Sequence, residues 1–380
     1  MSASLDVLFL IRSLHIGGAE RQLALLARTM HASGHRVRVA TFYASGAFEA
    51  DLRQAGVPVL DLKKSGRWDV LTFFWRLVRL LRKEKPVIVH GYLPMSNLLA
   101  LLAKPFAGWP KVVWGIRSSG SDPRHYGWMG RLEAWLQARL SRWADLIICN
   151  SQRGRQYALS QGFPLARTVC VPNGVNCEQF FPDPAAGLRT REAWGISQDV
   201  YLIGIVGRFV PLKNHAGLLR AAAPLLLTQP CAVVCIGSGS SQAVQEMRAL
   251  AVELGIADKV FFPGAHLEMC AAYNALDLFV SASLTEGAPN VLGEAMACNL
   301  PVICTDVGDA AWLAADYGQV VSPGDVPALE RAILHAYACR KIPRASPRER
   351  VLSAFSVMAL AANTETLLRN VCTASETKTP

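Results

Sequence analysis

Two glutamates in the second half of the chain have the type and spacing to hold one elongated ligand. Glu286 ends a loop and Glu294 lies inside the helix predicted to follow, with seven residues between them. Pro289 suits the first helical position, so the N–H groups around Asn290 and Val291 would face a phosphate or sugar hydroxyls. The alternative is that both carboxylates only favour the helix dipole and solvent.

Cations and glycines stand at two other predicted strand–helix junctions. Arg208 and Lys213 follow the first strand of the second half, where a planar guanidinium and a mobile ammonium can hold a diphosphate. Gly17 and Gly18 precede the first helix and allow backbone amides to approach an anion. A solvated basic loop and a plain turn are the respective alternatives, and the Asn-Gly pair at 173–174 predicts a turn on composition alone.

The elements that position these residues follow from short apolar runs alternating with amphipathic stretches, which is typical of parallel βα units. Strands are predicted over 7–11, 37–42, 57–60, 87–90, 112–115, 146–150, 201–207, 232–236, 259–262, 277–281, 302–305 and 319–321. Helices are predicted over 19–33, 68–84, 94–106, 128–143, 151–161, 214–227, 241–254, 266–275, 289–297 and 326–338.

This pattern predicts an α/β protein with two Rossmann-like domains. We predict a basic N-terminal domain over 1–175, a linker over 176–198 and a C-terminal domain over 199–346. A helix over 347–371 could cross back to the first domain, and 372–380 form a tail. Ligands of open parallel sheets bind beyond the carboxyl ends of the strands, so two domains facing across a cleft would direct these loops at one ligand.

Composition excludes several classes of protein. With 380 residues, 51% hydrophobic and 18% charged, the chain is neither disordered nor a coiled coil. No apolar run approaches the ~18 residues of a membrane span, and the run over 5–11 is too short for a signal segment. Ten cysteines occur without a CxxC pair, so we expect the reducing cytosol, with no disulfide framework and no zinc site.

The net charge of +10 is unevenly distributed. Residues 1–175 hold 24 Lys and Arg against 10 Asp and Glu, whereas residues 176–380 hold 15 against 19. The basic half indicates an anionic partner: nucleic acid, an acidic membrane surface or a phosphorylated acceptor. Because no DNA- or RNA-binding motif occurs, we expect no nucleic-acid partner.

Two stretches of the basic half combine tryptophan with arginine. In the stretch over 67–85, an apolar stripe suited to the sheet comprises Val70, Phe74, Leu77 and Leu81. A second, aromatic and basic stripe comprises Trp68, Trp75, Arg79 and Arg82. A further stretch over 125–143 interleaves three tryptophans with three arginines. Such faces suit an anionic lipid interface, and core packing with a solvated basic edge is the alternative.

Taken together, these motifs resemble the retaining glycosyltransferases of family 4, which have the two-domain GT-B fold. The similarity covers about residues 5–371 and depends on the segments IGGAERQ, VPNGVN, GRFVPLKN and EGAPNVLGEAMACNLPVICTDVGD. The resemblance implies that Arg208 and Lys213 clamp the donor diphosphate, which the glycines at 17 and 18 approach from the first domain. It also implies that Glu286 contacts the transferred sugar, Glu294 the ribose, and the segment over 263–266 the base.

One position departs from the family pattern. Many members have a histidine after the fifth strand of the first domain, whereas this chain has Arg117 in the segment WGIRS. A guanidinium cannot act as a general base, but it can contact a donor phosphate or an acidic acceptor. Arg117 and Glu286 are therefore the catalytic candidates. Histidines in positions such as those of His90 and His125 are more often structural or on the surface than catalytic.

We therefore expect a cytoplasmic, retaining glycosyltransferase of the hexosyltransferase type. It would use a nucleotide-sugar donor, no cofactor and no metal, since the chain has no DxD triplet. A glycan or lipid-linked acceptor in polysaccharide or glycolipid synthesis is expected, with peripheral binding to an anionic membrane surface. The alternatives are a nucleotide-sugar epimerase and a non-catalytic module that binds nucleotide sugar or an anion. The base, donor sugar, acceptor, linkage and oligomeric state stay open.

Overall fold

A computed structural model describes residues 4–66, 69–117, 127–266 and 268–373, and the chain divides into two compact units. Unit 1 comprises Met1–Gly174 and Val357–Pro380, and unit 2 comprises Val175–Ser356. In each unit a sheet of parallel strands carries helices on both faces, which confirms the predicted fold class. Among the described residues, no helix combines the length and apolar character that crossing a lipid bilayer requires.

The strands and helices alternate along the chain as the pattern predicts. The strands are β1 Asp6–Ile11, β2 Arg36–Thr41, β3 Val59–Asp61, β4 Ile88–Tyr92, β5 Lys111–Ile116, β6 Leu146–Cys149, β7 Thr168–Cys170, β8 Tyr201–Val206, β9 Cys231–Ile236, β10 Val260–Gly264, β11 Leu278–Ser281, β12 Val302–Thr305 and β13 Gly318–Val321. The helices are α1 Gly18–Ala32, α2 Ala47–Gln54, α3 Leu71–Glu84, α4 Pro94–Ala103, α5 Trp128–Leu140, α6 Gln152–Ser160, α7 Pro184–Ala193, α8 His215–Thr228, α9 Ser241–Glu253, α10 Met269–Asn274, α11 Asn290–Ala297, α12 Ala310–Ala314, α13 Val326–Ala338, α14 Pro347–Ala354 and α15 Val357–Thr373.

The sheet of unit 1 has the strand order β3-β2-β1-β4-β5-β6-β7. Successive side chains of β1 point to opposite faces: Val7 and Phe9 join a core with α1 and α15, whereas Leu8 and Leu10 join a core with α3 and α4. Both faces of the sheet are therefore covered, as parallel sheets require. On α3 the buried side chains include Phe73 and Val78, while Val70, predicted to face the sheet, is exposed because it precedes the helix.

The end of the chain packs on unit 1, but not as the single helix predicted over 347–371. The helical run breaks between α14 and α15, where the carbonyl of Phe355 accepts the N–H of Val175 at 2.7 Å and Val175 pairs with Ser356. Helix α15 then packs against α1, and Glu365 Oε2 lies 3.2 Å from Nε2 of the buried His35.

The sheet of unit 2 has the order β10-β9-β8-β11-β12-β13. The segment predicted as a linker over 176–198 lies inside this unit, with Phe180 and Ile196 in its core. Its Pro and Asp residues mark a helix start instead of a flexible connection, because Asp183 caps α7 and Pro184 is its first residue. The short elements α2, α12 and β7 were also not predicted.

Candidate functional site

The loops that follow β8 and β11 bring an ammonium and a carboxylate into contact. Lys213 Nζ, in the turn after β8, donates a hydrogen bond to Glu286 Oε1 in the loop after β11. Ser283 Oγ donates to the same oxygen at 2.9 Å. The side chains of Lys213 and Glu286 are 24% and 16% exposed, so water screens their attraction less than on an open surface. Two predicted site residues, 73 positions apart, therefore meet.

A close backbone contact supports the Glu286 loop. The N–H of Asp309 donates to the carbonyl of Gly287 at 3.0 Å. Gly308 has a φ of 58°, and a Cβ at this position would lie 2.2 Å from the same carbonyl oxygen. Only glycine fits both conditions, so residues after β12 hold the backbone that carries Glu286.

Arg208 has a different environment from Lys213. Its side chain is exposed, and within the described part of the chain it forms no hydrogen bond or ion pair. The next residue, Phe209, anchors the turn: its N–H donates to the carbonyl of Ser238 at 2.8 Å, and its ring stacks on His215 at 4.5 Å. Arg208 can therefore turn toward an anion while the backbone beneath it stays fixed.

Asn214 caps helix α8. Its Oδ1 accepts the N–H of Gly217 at 3.1 Å, and its backbone is left-handed with φ of 54°, a conformation that asparagine tolerates. Burial, assisted by the charge of Lys213, lowers the pKa of His215 to about 4. This histidine is neutral at pH 7, so the positive charge of the turn comes from Arg208 and Lys213.

Glu294 is buried in unit 2 instead of facing solvent. It is 6% exposed, and its Oε2 accepts a hydrogen bond at 2.9 Å from the hydroxyl of Tyr273 in α10. Helix α11 begins at Asn290, because Pro289 occupies the N-cap and not the first helical position predicted for it. Asn290 and Val291 are therefore in the first turn, where N–H groups point out of the helix.

In unit 1 the two glycines stand at the start of α1, as predicted. Gly17 is the N-cap with extended backbone, and Gly18 is the first helical residue. The carboxylate of Glu20 folds over this helix end, since a Cβ on Gly17 would lie 2.1 Å from Glu20 Oε2. The position is favourable for a negative charge near the helix dipole. An anionic ligand at the same place would have to displace Glu20.

Arg117 is held at the end of β5 by an aromatic ring. Its Cζ lies 4.2 Å from the centroid of Tyr92, and its Nη2 donates to the Tyr92 hydroxyl. Its Nη1 donates to Asn173 Oδ1 at 3.5 Å. No carboxylate of the described residues forms an ion pair with Arg117. The guanidinium is thus oriented by neutral groups and keeps its charge for an anionic ligand.

His90 lies in the interior of unit 1. It is completely buried between Phe9 and Tyr92, with ring centroids 5.3 and 5.0 Å away. Burial, and secondarily the charge of Arg117, holds the pKa of His90 well below its usual range. His125 and Trp68, also considered above, lie outside the described residues, as does Ser118 of the WGIRS segment.

The segment predicted to meet the base ends β10. Gly264 has a φ of 82°, and its carbonyl accepts the N–H of Gly237 at 2.9 Å. The ring of His266 packs against Trp194 at 5.7 Å. Base contacts by this segment stay a prediction.

Three partners of the site were missed by sequence reasoning. Ser283 lies three residues before Glu286, a spacing that was visible in the sequence. Tyr273 and Tyr92 carry no motif, and only the packing of α10 on α11 and of β4 beside β5 brings them to Glu294 and Arg117.

Comparisons with known proteins agree with this arrangement. A family model described as Glycosyltransferase Family 4 matches residues 16–179, and one described as Glycosyl transferases group 1 matches residues 201–339. EpsF of Bacillus subtilis, a glycosyltransferase by name, is 28% identical over 309 residues, which are 80% of each chain. A D-inositol 3-phosphate glycosyltransferase of Geodermatophilus obscurus is 33% identical over 225 residues, 56% of this chain and 50% of that protein.

Solved structures share the fold. HepE from Anabaena, crystallised with UDP, aligns with a TM-score of 0.83 and 22% identity, covering 96% of this chain and 100% of that one. Another crystal of HepE contains UDP-glucose.

Proposed function

The chain belongs to glycosyltransferase family 4 and has the GT-B fold, and on this premise we propose a retaining, metal-independent transfer of a sugar from a nucleoside diphosphate. The acceptor is a glycan or a lipid-linked molecule, and the nucleotide sugar is a co-substrate with no further cofactor. The observation that carries the proposal is the contact between Lys213 and Glu286. It joins a cation suited to a diphosphate with a carboxylate suited to the sugar attached to it.

We assign the donor diphosphate to Arg208 and Lys213, with the N–H groups of Asn290 and Val291 as additional donors. The exposed guanidinium of Arg208, which has no ion pair among the residues that the structure describes, supports this assignment, since a bidentate fork matches phosphate geometry. The first turn of α11 supports it as well, because helix N-termini favour anions. Gly17 and Gly18 stay predicted phosphate contacts, and an anion bound at their helix end would displace Glu20.

The nucleoside is assigned to the buried end of the site. Glu294, oriented by Tyr273, would receive the ribose hydroxyls, because a fixed carboxylate accepts two hydroxyl donors well. HepE binds UDP and UDP-glucose, and its fold matches over nearly the whole chain. We therefore propose a UDP-sugar, with UDP-glucose as the first donor to examine.

The proposed reaction separates charge. The bond between the sugar carbon and the phosphate oxygen breaks, its electron pair goes to the diphosphate, and positive charge grows on the ring. Arg208 and Lys213 stabilise the leaving group, and Glu286 faces the ring. The acceptor hydroxyl attacks from the face that the diphosphate leaves, and its proton goes to a phosphate oxygen. Configuration is thereby retained. Arg117, fixed by Tyr92, would hold a phosphate of the donor or an acidic acceptor.

Unit 1 is proposed as the acceptor side. Its excess of basic residues favours an anionic acceptor or an anionic surface. The relative from Geodermatophilus obscurus carries a phosphorylated inositol in its name, which supports a phosphate-bearing acceptor. Synthesis of polysaccharide or glycolipid at a membrane fits both features, with the chain bound peripherally.

Incubation of the full chain with UDP-glucose and other nucleotide sugars tests the proposal. Slow release of free sugar is expected, with turnover maintained in EDTA. Activity lost in EDTA and restored by magnesium or manganese would disprove metal independence, and a product of inverted anomeric configuration would disprove retention. Interconversion of sugars would indicate an epimerase, and binding without turnover a non-catalytic module.

A further inference from the structure

Unit 1 exposes an unusual number of tryptophans. Of the six that the structure describes in this unit, only Trp114 is buried, and the other five are each more than half exposed: Trp75, Trp109, Trp128, Trp135 and Trp143. Tryptophan has a large apolar surface and is strongly buried on average. Several exposed on one unit indicate a surface that binds something apolar.

These residues belong to one helix layer, hereafter the aromatic layer: α3, α4, α5 and the turns after α4 and α5. The three helices share one core on the same face of the sheet, with Leu77, Leu98 and Leu136 among its members. The opposite face, covered by α1 and α15, has no exposed aromatic residue within the described part of these helices, where Met358 is the exposed large apolar side chain. The aromatic surface is therefore confined to one side of unit 1.

Part of the aromatic layer is a preformed cluster that the sequence analysis did not single out. The ring of Phe106 meets Trp75 at 5.6 Å and Phe74 at 6.0 Å, edge to face. Arg82 Nε donates to the carbonyl of Phe106 at 2.7 Å. Trp109 follows with a φ of 58°, a strained conformation for a bulky residue. The cluster thus presents apolar rings from a fixed backbone.

Positive charge runs along the same helices. On α5, Trp128, Arg131, Trp135 and Arg139 are spaced by three, four and four residues and so form one stripe. On α3, Leu71, Trp75, Arg79 and Arg82 form a second stripe.

Basic residues outnumber carboxylates on both helices: α5 has two arginines and Glu133, and α3 has four basic residues and Glu84. Within the described residues, Arg79, Arg131 and Arg139 form no ion pair. The nearby carboxylates of Glu84 and Asp145 are engaged by Arg38 and Lys104.

We propose that the aromatic layer is the surface by which this protein binds an anionic lipid bilayer. Tryptophan rings enter the boundary between headgroups and acyl chains, while arginines beside them meet anionic headgroups. Binding to a bilayer would bring the protein to the proposed lipid-linked acceptor. Only this connection to the acceptor rests on the proposed function. A second copy of the chain is a poorer occupant, because a two-fold dimer would bring Arg79, Arg131 and Arg139 against themselves.

Flotation of the full chain with lipid vesicles tests the proposal. We expect binding to phosphatidylcholine vesicles that contain phosphatidylglycerol and much weaker binding to phosphatidylcholine alone. Since each basic residue near such a surface contributes separately, Arg131→Gln with Arg139→Gln should weaken binding about 30-fold. The matched control is Arg28→Gln with Arg220→Gln. It removes the same charge from helices outside the aromatic layer and should lower binding far less.

The aromatic part is tested by Trp128→Ala with Trp135→Ala. We expect weaker flotation and a smaller share of the tryptophan emission quenched by brominated lipids, with an unchanged melting temperature because both side chains are exposed. Equal binding to both vesicles, no binding, or an equal effect of the control pair would overturn the proposal. The proposal would also be overturned if these substitutions abolished self-association, or the capture of an acidic protein, and left flotation unchanged. Consumption of UDP-glucose is measured separately, so flotation stays informative even if the proposed transfer fails.

Discussion

Replacement of Lys213 by Met separates the structural from the catalytic contribution of its contact with Glu286. Methionine keeps an unbranched side chain of similar length and removes the ammonium. The carboxylate of Glu286, 16% exposed, then loses its cationic partner, and the donor diphosphate loses one of its two proposed cations. Both stability and turnover should fall, but by different amounts.

The two magnitudes follow from burial and from charge separation. Removing one partner costs about 3–5 kcal/mol in a buried ion pair and about 0–1 kcal/mol in an exposed one. At 24% and 16% exposure this pair lies between, so we expect a loss of about 1–2 kcal/mol in unfolding free energy and a few degrees in Tm. Loss of a group that stabilises the leaving diphosphate should lower kcat about 100–1000-fold.

A double variant and a matched control distinguish these effects. Lys213→Met with Glu286→Gln also replaces the carboxylate by a neutral amide and should recover most of the Tm, while kcat stays low. Arg191→Met breaks the ion pair with Asp277, 2.6 Å long and also in unit 2, and should lower Tm without a comparable loss of kcat. Melting curves give the Tm, and the rate of UDP-glucose consumption at saturating donor gives kcat. Recovery of kcat in the double variant, or an equal loss in Arg191→Met, would refute a catalytic role for Lys213.

Two further predictions follow from buried polar contacts. Tyr273→Phe removes a hydrogen bond to the Glu294 carboxylate, worth about 1.5–3 kcal/mol, and should raise the donor KM about tenfold or more. The control Tyr337→Phe loses a hydrogen bond to Gln229 and should leave the donor KM unchanged. Equal KM values in the two variants would remove Glu294 from the donor site. His215 has a pKa of about 4 in the folded chain, below the ordinary value near 6.5, so the unfolded chain binds the proton first and the free energy of unfolding falls by up to about 3 kcal/mol as the pH drops from about 6.5 to 4. Denaturant unfolding at about pH 6.5 and pH 4 should show a smaller difference in stability for His215→Phe. An unchanged difference would contradict this account.

The loops that carry the site could be predicted because strand ends and helix starts leave local signals. The junction before α8 has an Asn that caps the helix, and the junction before α11 has a Pro. Adjacency of the two loops could not be predicted, because it depends on β8 lying beside β11 in the sheet. The chain places β9 and β10 between them in sequence, and the crossover brings Lys213 to Glu286.

Failures of prediction came where tertiary contacts override composition. Pro, Asp and Gly after residue 176 suggest a linker, but Phe180 and Ile196 are apolar enough to enter the core of unit 2. The final helix is interrupted because the carbonyl of Phe355 bonds to Val175, which is distant in sequence. Burial of Glu294 was likewise hidden, since its partner Tyr273 lies on a short helix with no motif.

The charge arrangement of unit 2 bears on how the proposed donor would bind. Lys213 is neutralised by Glu286, whereas Arg208 is exposed and without an ion pair among the described residues. An incoming diphosphate would therefore meet Arg208 first and draw Lys213 from Glu286 second, because a dianion attracts the ammonium more strongly than one carboxylate does. That exchange leaves the Glu286 carboxylate beside the sugar when positive charge develops on the ring. Groups stabilise a transition state only where its charge appears. The pairing of Lys213 with Glu286 before binding would hold both side chains near that place, and the attraction of the diphosphate for Lys213 would offset the free energy of separating them.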